Sequence, residues 1–190
     1  VVLVVGGSLG TRTLNEMMKA WIKSLDDVAP VQVIWQTGKF YEREMREFLE
    51  AHPTKNIWQG AFIERMDYAY LAADVVLSRS GACTVSELCL VAKPTIFVPS
   101  PNVAEDHQTK NAMALVDKNA AIYVADANVK EELVTKAIET ARDADSIAKL
   151  EENIIKFGKS NAADEIADAV LMLADAYIEK QTRREKENLR

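Results

Sequence analysis

Residues 6–10, Gly-Gly-Ser-Leu-Gly, are the first part of the chain whose residue types and spacing could do chemistry. They match G-x-S-x-G, the turn that presents a nucleophilic serine in α/β-hydrolases. They also form a glycine-rich turn after a run of valines, where backbone N–H groups and the Ser8 hydroxyl could bind a phosphate. A third alternative is that the glycines only allow a strand and a helix to pack closely.

The hydrolase alternative needs an acid and a histidine later in the chain, and Asp74 and His107 supply the order Ser, Asp, His. It also needs an oxyanion-hole loop several elements earlier, which would have to lie before Val1. Hydrolase chemistry is therefore disfavoured. A nicotinamide cofactor is disfavoured too, because the second predicted strand ends in Gln36 and not in an acidic residue.

A second loop, SRSGACTVSEL at residues 78–88, again has small residues before a predicted helix. Ser80 to Ala82 can offer N–H groups to a phosphate, and Thr84 is predicted to cap the helix. Glu87 then falls in the first helical turn. It is either the last member of a capping box or a carboxylate that accepts both hydroxyls of a ribose.

These loops need a scaffold, and the chain predicts one. Apolar, β-branched runs alternate with segments of helical periodicity, which predicts an α/β fold: a doubly wound, Rossmann-like parallel sheet with extra C-terminal helices. The predicted strands are 1–5, 31–36, 56–60, 74–81 with its turn, 94–100 and 120–125. The predicted helices are 11–25, 40–51, 66–73, 84–91, 107–119, 129–142, 145–157 and 162–180. Loops at the carboxyl ends of parallel strands line one crevice, so the loop at 98–112 is expected to join the first two.

The composition narrows the function classes. The chain has 190 residues, 23 of them basic and 29 acidic, for a net charge of -6. Without a broad basic field, nucleic acid is not an expected partner. The two cysteines, Cys83 and Cys89, match neither a redox pair nor a zinc site, so both are predicted to be buried in a reducing compartment, the cytoplasm. No apolar run approaches the roughly 20 residues that span a bilayer.

Three ordered segments, residues 6–15, 78–88 and 93–112, resemble the C-terminal half of the MurG family of peptidoglycan glycosyltransferases. Members of this family transfer N-acetylglucosamine from UDP-N-acetylglucosamine to lipid-linked muramyl-pentapeptide. The similarity extends from Val1 to about Ala176. It implies one half of a GT-B fold, the half that binds the donor.

The resemblance also implies a division of the chain. Residues 1–160 would form the Rossmann-like UDP-sugar-binding domain. Residues 161–190 would form a C-terminal helix and a charged tail that pack toward an N-terminal acceptor domain, which this sequence lacks.

The resemblance assigns the first two loops to the nucleotide. The glycine loop with Ser8 would face the diphosphate, together with backbone groups of residues 80–82 and Thr84. Glu87 would take the ribose hydroxyls, which decides between its two readings in favour of binding.

Further residues are assigned to the base and the sugar. The backbone of Ile63 would pair with the uracil edge, with Phe62 and Met66 packed near the base. Gln108 would bind sugar hydroxyls, whereas His107 stands where the family often has a second glutamine. The full predicted donor site is Gly7, Ser8, Gly10, Phe62, Ile63, Met66, Ser80, Gly81, Ala82, Thr84, Glu87, His107 and Gln108.

The resemblance leaves the catalytic residues unassigned, because the acceptor site, the general base and the membrane-contacting patch of the family lie in the N-terminal half. No metal and no cofactor is expected. The implied partners are UDP-N-acetylglucosamine and, through the other half, the lipid-linked acceptor and the inner face of the cell membrane. The isolated domain is expected to be inactive. Half of a UDP-N-acetylglucosamine 2-epimerase and a non-catalytic nucleotide-sugar-binding scaffold are the alternatives.

Overall fold

The computed structural model describes residues 1–188 of the chain, in which strands and helices alternate. The strands are β1 (Val2–Val5), β2 (Val28–Gln36), β3 (Lys55–Gly60), β4 (Val75–Ser78), β5 (Thr95–Phe97) and β6 (Ile122–Tyr123). The α-helices are α1 (Arg12–Lys23), α2 (Glu42–Ala51), α3 (Met66–Ala72), α4 (Ala82–Leu90), α5 (His107–Val116), α6 (Val134–Arg142), α7 (Ala144–Ile154) and α8 (Ala162–Asn188).

The strands form one parallel sheet in the order β3-β2-β1-β4-β5-β6. The strand β1 pairs on both sides, with Val2 opposite Val33 of β2 and opposite Val75 of β4. The predicted doubly wound α/β fold is therefore confirmed. The order reverses at β1, and the crevice outside the carboxyl ends of the strands at such a reversal is where open parallel sheets bind ligands.

Helices cover both faces of the sheet because the central strands are apolar on both sides. Val4 lies in one core cluster with Met17 of α1, and its neighbour Leu3 lies in the other with Leu88 of α4. Fully burying a side chain of this size contributes about 1.5–3 kcal/mol. Apolar contact therefore fixes α1 and α4 on opposite faces of β1.

A buried amide also joins α1 to the end of β2. The indole nitrogen of Trp35 donates to Oδ1 of Asn15 at 3.0 Å, and Nδ2 of Asn15 donates to the carbonyl of Thr37 at 2.9 Å. All three residues are buried, so the hydrogen bonds offset the cost of removing these polar groups from water. The start of α1 is thereby held next to the residues that follow β2.

The expectations for one strand and for one cysteine are wrong. The strand predicted at 94–100 is shortened to Thr95–Phe97, because the chain bends into the loop that carries the third candidate segment. Cys83 is exposed at the second position of α4 and is not buried as predicted. Cys89 is buried, and that burial raises the pKa of its thiol.

The chain divides into two compact units, Val1–Gly158 and Lys159–Arg190. The first contains the sheet and α1 to α7, and the second contains α8. Residues 189 and 190 of the predicted charged tail lie outside the described residues. None of the helices in the described part combines the length and the hydropathy needed to cross a membrane. The packing of the C-terminal segment against an acceptor domain stays a prediction.

Candidate functional site

The loop after β1, residues 6–10, packs closely against the end of β2. Gly7 and Gly10 have φ angles of 79° and 89°, in the left-handed region that favours glycine. A Cβ on Gly10 would lie 2.2 Å from the carbonyl oxygen of Thr37, and a Cβ on Gly38 would lie 2.0 Å from the nitrogen of Gly10. Only glycine at both positions allows the two backbones to approach this closely.

This packing leaves the start of α1 open to an anion. The hydroxyl of Thr11, the residue before the helix, donates to the carbonyl of Gly6 at 2.8 Å and does not cap the helix. The first helical hydrogen bond runs from the N–H of Asn15 to the carbonyl of Thr11, so the three preceding helical N–H groups have no helical partner. Ser8, in the loop that leads to them, is exposed. Such N–H groups at the positive end of a helix attract phosphate or carboxylate.

The geometry contradicts the hydrolase alternative for Ser8. Asp74 precedes β4 and its N–H donates to the carbonyl of Val1 at 2.9 Å, so it lies at the amino edge of the sheet. Ser8 and His107 both come after strands, at the carboxyl edge. The intervening strand is four residues long, which separates the two edges by roughly 13 Å. A catalytic triad needs its members within hydrogen-bond reach of one another.

The loop after β4, like the loop after β1, leads directly into a helix. This helix, α4, starts two residues earlier than predicted. Gly81 is the N-cap, with an extended backbone at φ −63° and ψ 147°, and the N–H of Val85 donates to its carbonyl at 2.9 Å. Thr84 is therefore the third residue of α4, and the prediction that it caps the helix is wrong. Glu87 consequently lies beyond the first turn. The N–H groups of Ala82 to Thr84 precede the first helical hydrogen bond.

The start of α4 borders open space. A Cβ added to Gly81 would meet no atom within 4 Å. Thr84 and Glu87 are three residues apart in the helix and so lie on one face of it. An anion at the first N–H groups of α4 would thus have a hydroxyl and, one turn further, a carboxylate along the same face.

Ser80 holds loops together and does not face the crevice. It is fully buried, and its Oγ donates to the carbonyl of Gln108 at 2.8 Å. Its own carbonyl accepts a hydrogen bond from Nδ2 of Asn111 at 3.0 Å. The side chain of Gln108 accepts from the N–H of Ser100 at 2.9 Å through Oε1, which leaves its Nε2 as the group that can reach a ligand. These contacts tie the start of α5 to the loop before α4.

The carboxylate of Glu87 is exposed and has one hydrogen-bond donor among the described residues. That donor is the hydroxyl of Tyr70, at 3.3 Å. Tyr70 is buried at 7% exposure in α3. Burial, followed by the charge of Glu87, raises the pKa of the Tyr70 hydroxyl. The phenol therefore stays protonated at neutral pH and can donate.

Gln36 links the glycine loop to the loop after β3. It is 2% exposed; its Nε2 donates to the carbonyl of Gly7 at 3.1 Å, and its Oε1 accepts from the N–H of Ile63 at 3.2 Å. The Ile63 N–H is thus bound within the protein, whereas its carbonyl opens the turn at Glu64 and Arg65 that leads into α3 and keeps a lone pair for a ligand. Phe62, the residue before Ile63, is 52% exposed, and Met66, the first residue of α3, is half-buried. One aromatic and one flexible apolar residue therefore lie close to this carbonyl in the sequence.

Arg79, which has no predicted role, connects the loops after β4, β5 and β6. Its Nη1 donates to the carbonyls of Val98 and Pro99 at 2.9 and 3.0 Å and lies 2.5 Å from Oδ1 of Asp126. Oδ2 of Asp126 accepts from the hydroxyl of Thr13 in α1 at 3.3 Å. The Arg79 side chain is 15% exposed and that of Asp126 is 23% exposed. The Arg79–Asp126 ion pair therefore holds the loops after β4 and β6 together.

The third loop ends in a strained turn before α5. Glu105 and Asp106 have φ angles of 53° and 52°, in the left-handed region that non-glycine residues rarely adopt. His107 follows at the first position of α5, exposed, with its Nδ1 2.8 Å from the carbonyl of Ala104. Its Nε2 is the ring atom that can face a ligand.

The structure brings the predicted residues to one edge of the sheet. The loops that carry Gly7, Ser8 and Gly10 and those that carry Gly81, Ala82 and Thr84 follow the adjacent strands β1 and β4. Among the side chains that the structure describes, no three of His, Cys, Asp or Glu are grouped as a metal site would require. The arrangement can bind a ligand that carries negative charge next to vicinal hydroxyls.

Comparisons with known proteins agree with this geometry. Residues 1–169 match the family model described as the glycosyltransferase family 28 C-terminal domain. The chain is 47% identical over 174 residues to a UDP-N-acetylglucosamine–N-acetylmuramyl-(pentapeptide) pyrophosphoryl-undecaprenol N-acetylglucosamine transferase from Parabacteroides distasonis. That alignment covers 92% of this chain and 47% of the relative, so the chain spans about half the length of the curated relative it matches.

Two solved structures are also similar. The crystal structure of Acinetobacter baumannii MurG matches with a TM-score of 0.77 and 29% identity, over 90% of this chain and 49% of that one. A crystal structure of a UDP-N-acetylglucosamine 2-epimerase matches with a TM-score of 0.55 and 14% identity, over 92% of this chain and 43% of that one. At that identity the second match shows a shared fold and nothing more.

Proposed function

Since the chain belongs to glycosyltransferase family 28, as a member of its C-terminal domain family, we propose that it binds UDP-N-acetylglucosamine for an N-acetylglucosaminyl transfer. One observation carries this proposal. Two helices that follow adjacent strands, α1 and α4, begin with N–H groups that have no helical partner, and Glu87 stands one turn into the second. Open N–H groups suit a diphosphate, and a carboxylate suits the two hydroxyls of a ribose.

The diphosphate would lie between the two helix starts. Gly7, Ser8 and Gly10 would face it from the first loop. From the second loop, it would be contacted by Gly81, Ala82 and Thr84. The carboxylate of Glu87 would accept from the ribose hydroxyls. Ser80 would act through backbone position alone, because its side chain is fully buried.

The base and the sugar would lie on either side of the diphosphate. The carbonyl of Ile63 suits the N3–H of uracil, which is a donor where cytosine has an acceptor. Phe62 and Met66 would pack near the base. Nε2 of Gln108, together with His107, would contact the sugar hydroxyls.

In the proposed reaction an acceptor hydroxyl forms a bond to the anomeric carbon as the bond to UDP breaks, with inversion. Negative charge grows on the departing diphosphate, and preorganised N–H groups of α1 and α4 stabilise it in place. The acceptor loses a proton to a general base, and the proposal assigns no residue of this chain to that role. The base and the acceptor site are proposed to belong to the N-terminal half of the longer relatives.

The wider setting is proposed from the relatives as well. The acceptor would be lipid-linked muramyl-pentapeptide, and the reaction would serve peptidoglycan synthesis, and with it cell shape and division. The protein would work on the cytoplasmic face of the membrane as a peripheral enzyme, through contacts made by its other half. The epimerase alternative has only a shared fold in its favour, and a scaffold without chemistry has no specific observation in its favour.

Calorimetric titration of the 190-residue chain with UDP-N-acetylglucosamine, UDP and ADP tests the proposal. We expect uridine-selective binding, and Glu87→Ala should weaken UDP binding by about ten- to a hundredfold, the usual worth of a hydrogen bond to a charged group. Glu50→Ala is the matched control, because Glu50 is exposed in the last turn of α2, away from the carboxyl edge of the sheet. Equal affinity for UDP and ADP, or unchanged UDP affinity in Glu87→Ala, would overturn the proposal.

A further inference from the structure

We infer that Tyr70 is a positioning residue that holds the Glu87 carboxylate in place and thereby makes the site select a ribonucleotide over a 2′-deoxyribonucleotide. The inference deepens the proposed function and rests on it. The inference starts from the hydrogen bond that the Tyr70 hydroxyl donates to Oε2 of Glu87, which is 3.3 Å long. This bond joins α3 to α4, between residues that are 17 positions apart in the sequence.

Tyr70 is a fixed donor because its ring lies in the apolar core. It is 7% exposed and belongs to the same core cluster as Ala69 and Ala73 of its own segment and Leu88 of α4. Core packing therefore holds the residue next to Tyr70 in α3 and the residue next to Glu87 in α4. The phenolic hydroxyl contacts Glu87 at a point that the core packing determines.

Glu87, in contrast, is a flexible and exposed side chain that needs orientation. A glutamate on a helix surface samples several rotamers, and a ligand that uses only one of them loses affinity through the ordering. One bond from a fixed donor restricts the carboxylate before the ligand arrives. The bond occupies Oε2 from one side, and Oε1 receives no hydrogen bond from the described residues, so acceptor positions remain for two hydroxyls.

The direction of this hydrogen bond is secure at neutral pH. Burial and the neighbouring charge of Glu87 both raise the pKa of the Tyr70 hydroxyl, so the phenol keeps its proton. Among the described residues, no cation pairs with Glu87, and Tyr70 is the group that faces its carboxylate. No cation in this part of the chain therefore competes with ligand hydroxyls for the carboxylate oxygens.

The same helix supplies a matched control. Tyr68 is 58% exposed and its ring lies against the Arg65 guanidinium, 3.9 Å from the ring centroid. Removing either phenolic oxygen is the same chemical change, made two residues apart in α3. Only Tyr70 contacts Glu87.

The test measures binding of UDP and of 2′-deoxy-UDP to the 190-residue chain by calorimetry. We expect Tyr70→Phe to weaken UDP binding by about three- to tenfold and 2′-deoxy-UDP binding by clearly less, so that the ribose preference shrinks. Tyr68→Phe should leave both affinities unchanged. In a Glu87→Ala background, Tyr70→Phe should have no further effect on UDP, because the group that it positions is gone.

Each other outcome identifies what is wrong. If Tyr70→Phe weakens both ligands equally and lowers the melting temperature, Tyr70 only stabilises the fold and the inference is overturned. If the wild-type chain selects UDP over ADP but its ribose preference survives Tyr70→Phe, the inference fails and the proposed function stands. If the wild-type chain does not prefer UDP to ADP, the proposed function itself fails, and the inference fails with it.

Discussion

The loops on the two sides of the crevice are built in different ways. On the side of β1 and β2, backbone meets backbone: Gly10 and Gly38 are in direct contact, and the N–H of Lys39 donates to the carbonyl of Ser8 at 3.1 Å. The Gln36 side chain adds a bridge there, but the closest approach is between the two backbones. On the side of β4 and β5, side chains span the gaps: Arg79 reaches two carbonyls of the loop after β5, and Ser80 reaches the Gln108 carbonyl at the start of α5. Both sides present open helix N–H groups to the same crevice.

The difference shows that a polar residue near a site is not automatically a ligand contact. On the first side the residue type is dictated by steric limits, and the exposed Ser8 hydroxyl is left free for a ligand. On the second side Ser80 is fully buried and holds the loops. The two sides should therefore respond differently to mutation, and three experiments test this contrast.

The largest effect is expected on the backbone side. In Gly38→Ala, the new Cβ would overlap the backbone of Gly10, with its nitrogen 2.0 Å away, at a residue whose φ is 82°. Overpacking against rigid backbone and a left-handed alanine together should cost about 4 kcal/mol of unfolding free energy. Urea denaturation measures this cost.

The control for that experiment is Gly81→Ala on the other side. Gly81 has a φ of −63° and open space around its Cβ position, so the change in unfolding free energy should stay within about 1 kcal/mol. Similar losses in both variants would mean that the first side is not specially constrained by backbone approach.

A smaller but clear effect is expected for the ion pair between Arg79 and Asp126. Arg79→Met removes the ion pair with Asp126 and the bonds to two carbonyls, and leaves a largely buried carboxylate without its cation. We expect the unfolding free energy to fall by about 2–3 kcal/mol. Asp126→Asn in the Arg79→Met background should recover part of this loss, because it removes the unpaired charge. Full additivity of the two changes would show that the residues are not coupled.

The smallest effect is expected for Ser80→Ala, which deletes one buried hydrogen bond, the one to the Gln108 carbonyl. Stability should fall by about 1 kcal/mol, while UDP affinity should change by less than about twofold because the side chain does not contact the ligand. Ser86→Ala, at an exposed position of α4, should change neither quantity. A large loss of UDP affinity in Ser80→Ala at unchanged stability would place this hydroxyl on the ligand.

The sequence predicted the fold because the signals for it are local. The apolar run of β1 and the glycines after it lie within ten residues, and the same strand-turn-helix pattern recurs down the chain. The predicted start of α4 is wrong because two local signals compete there. Thr84 has the side chain of a cap, but Gly81 already has the extended backbone that begins the helix.

The residues that hold the site together could not be predicted, because their roles come from contacts between distant parts of the chain. Gly38 is required by Gly10, Gln36 by Gly7 and Ile63, and Tyr70 acts on Glu87. Nothing in the spacing along the sequence marks these pairs. Arg79 comes with one local signal, because it directly follows a buried strand. An arginine at that position must find polar partners at the carboxyl edge of the sheet.

The exposure of Cys83 has a practical consequence. The chain has two cysteines; Cys89 is buried with a raised thiol pKa, whereas Cys83 lies exposed at the second position of α4. A maleimide dye would therefore react at one place in the folded wild-type chain, beside the N–H groups proposed to meet the diphosphate. The protein carries its own attachment point for a fluorescence reporter, and nucleotide occupancy could be followed optically in real time without engineering a cysteine.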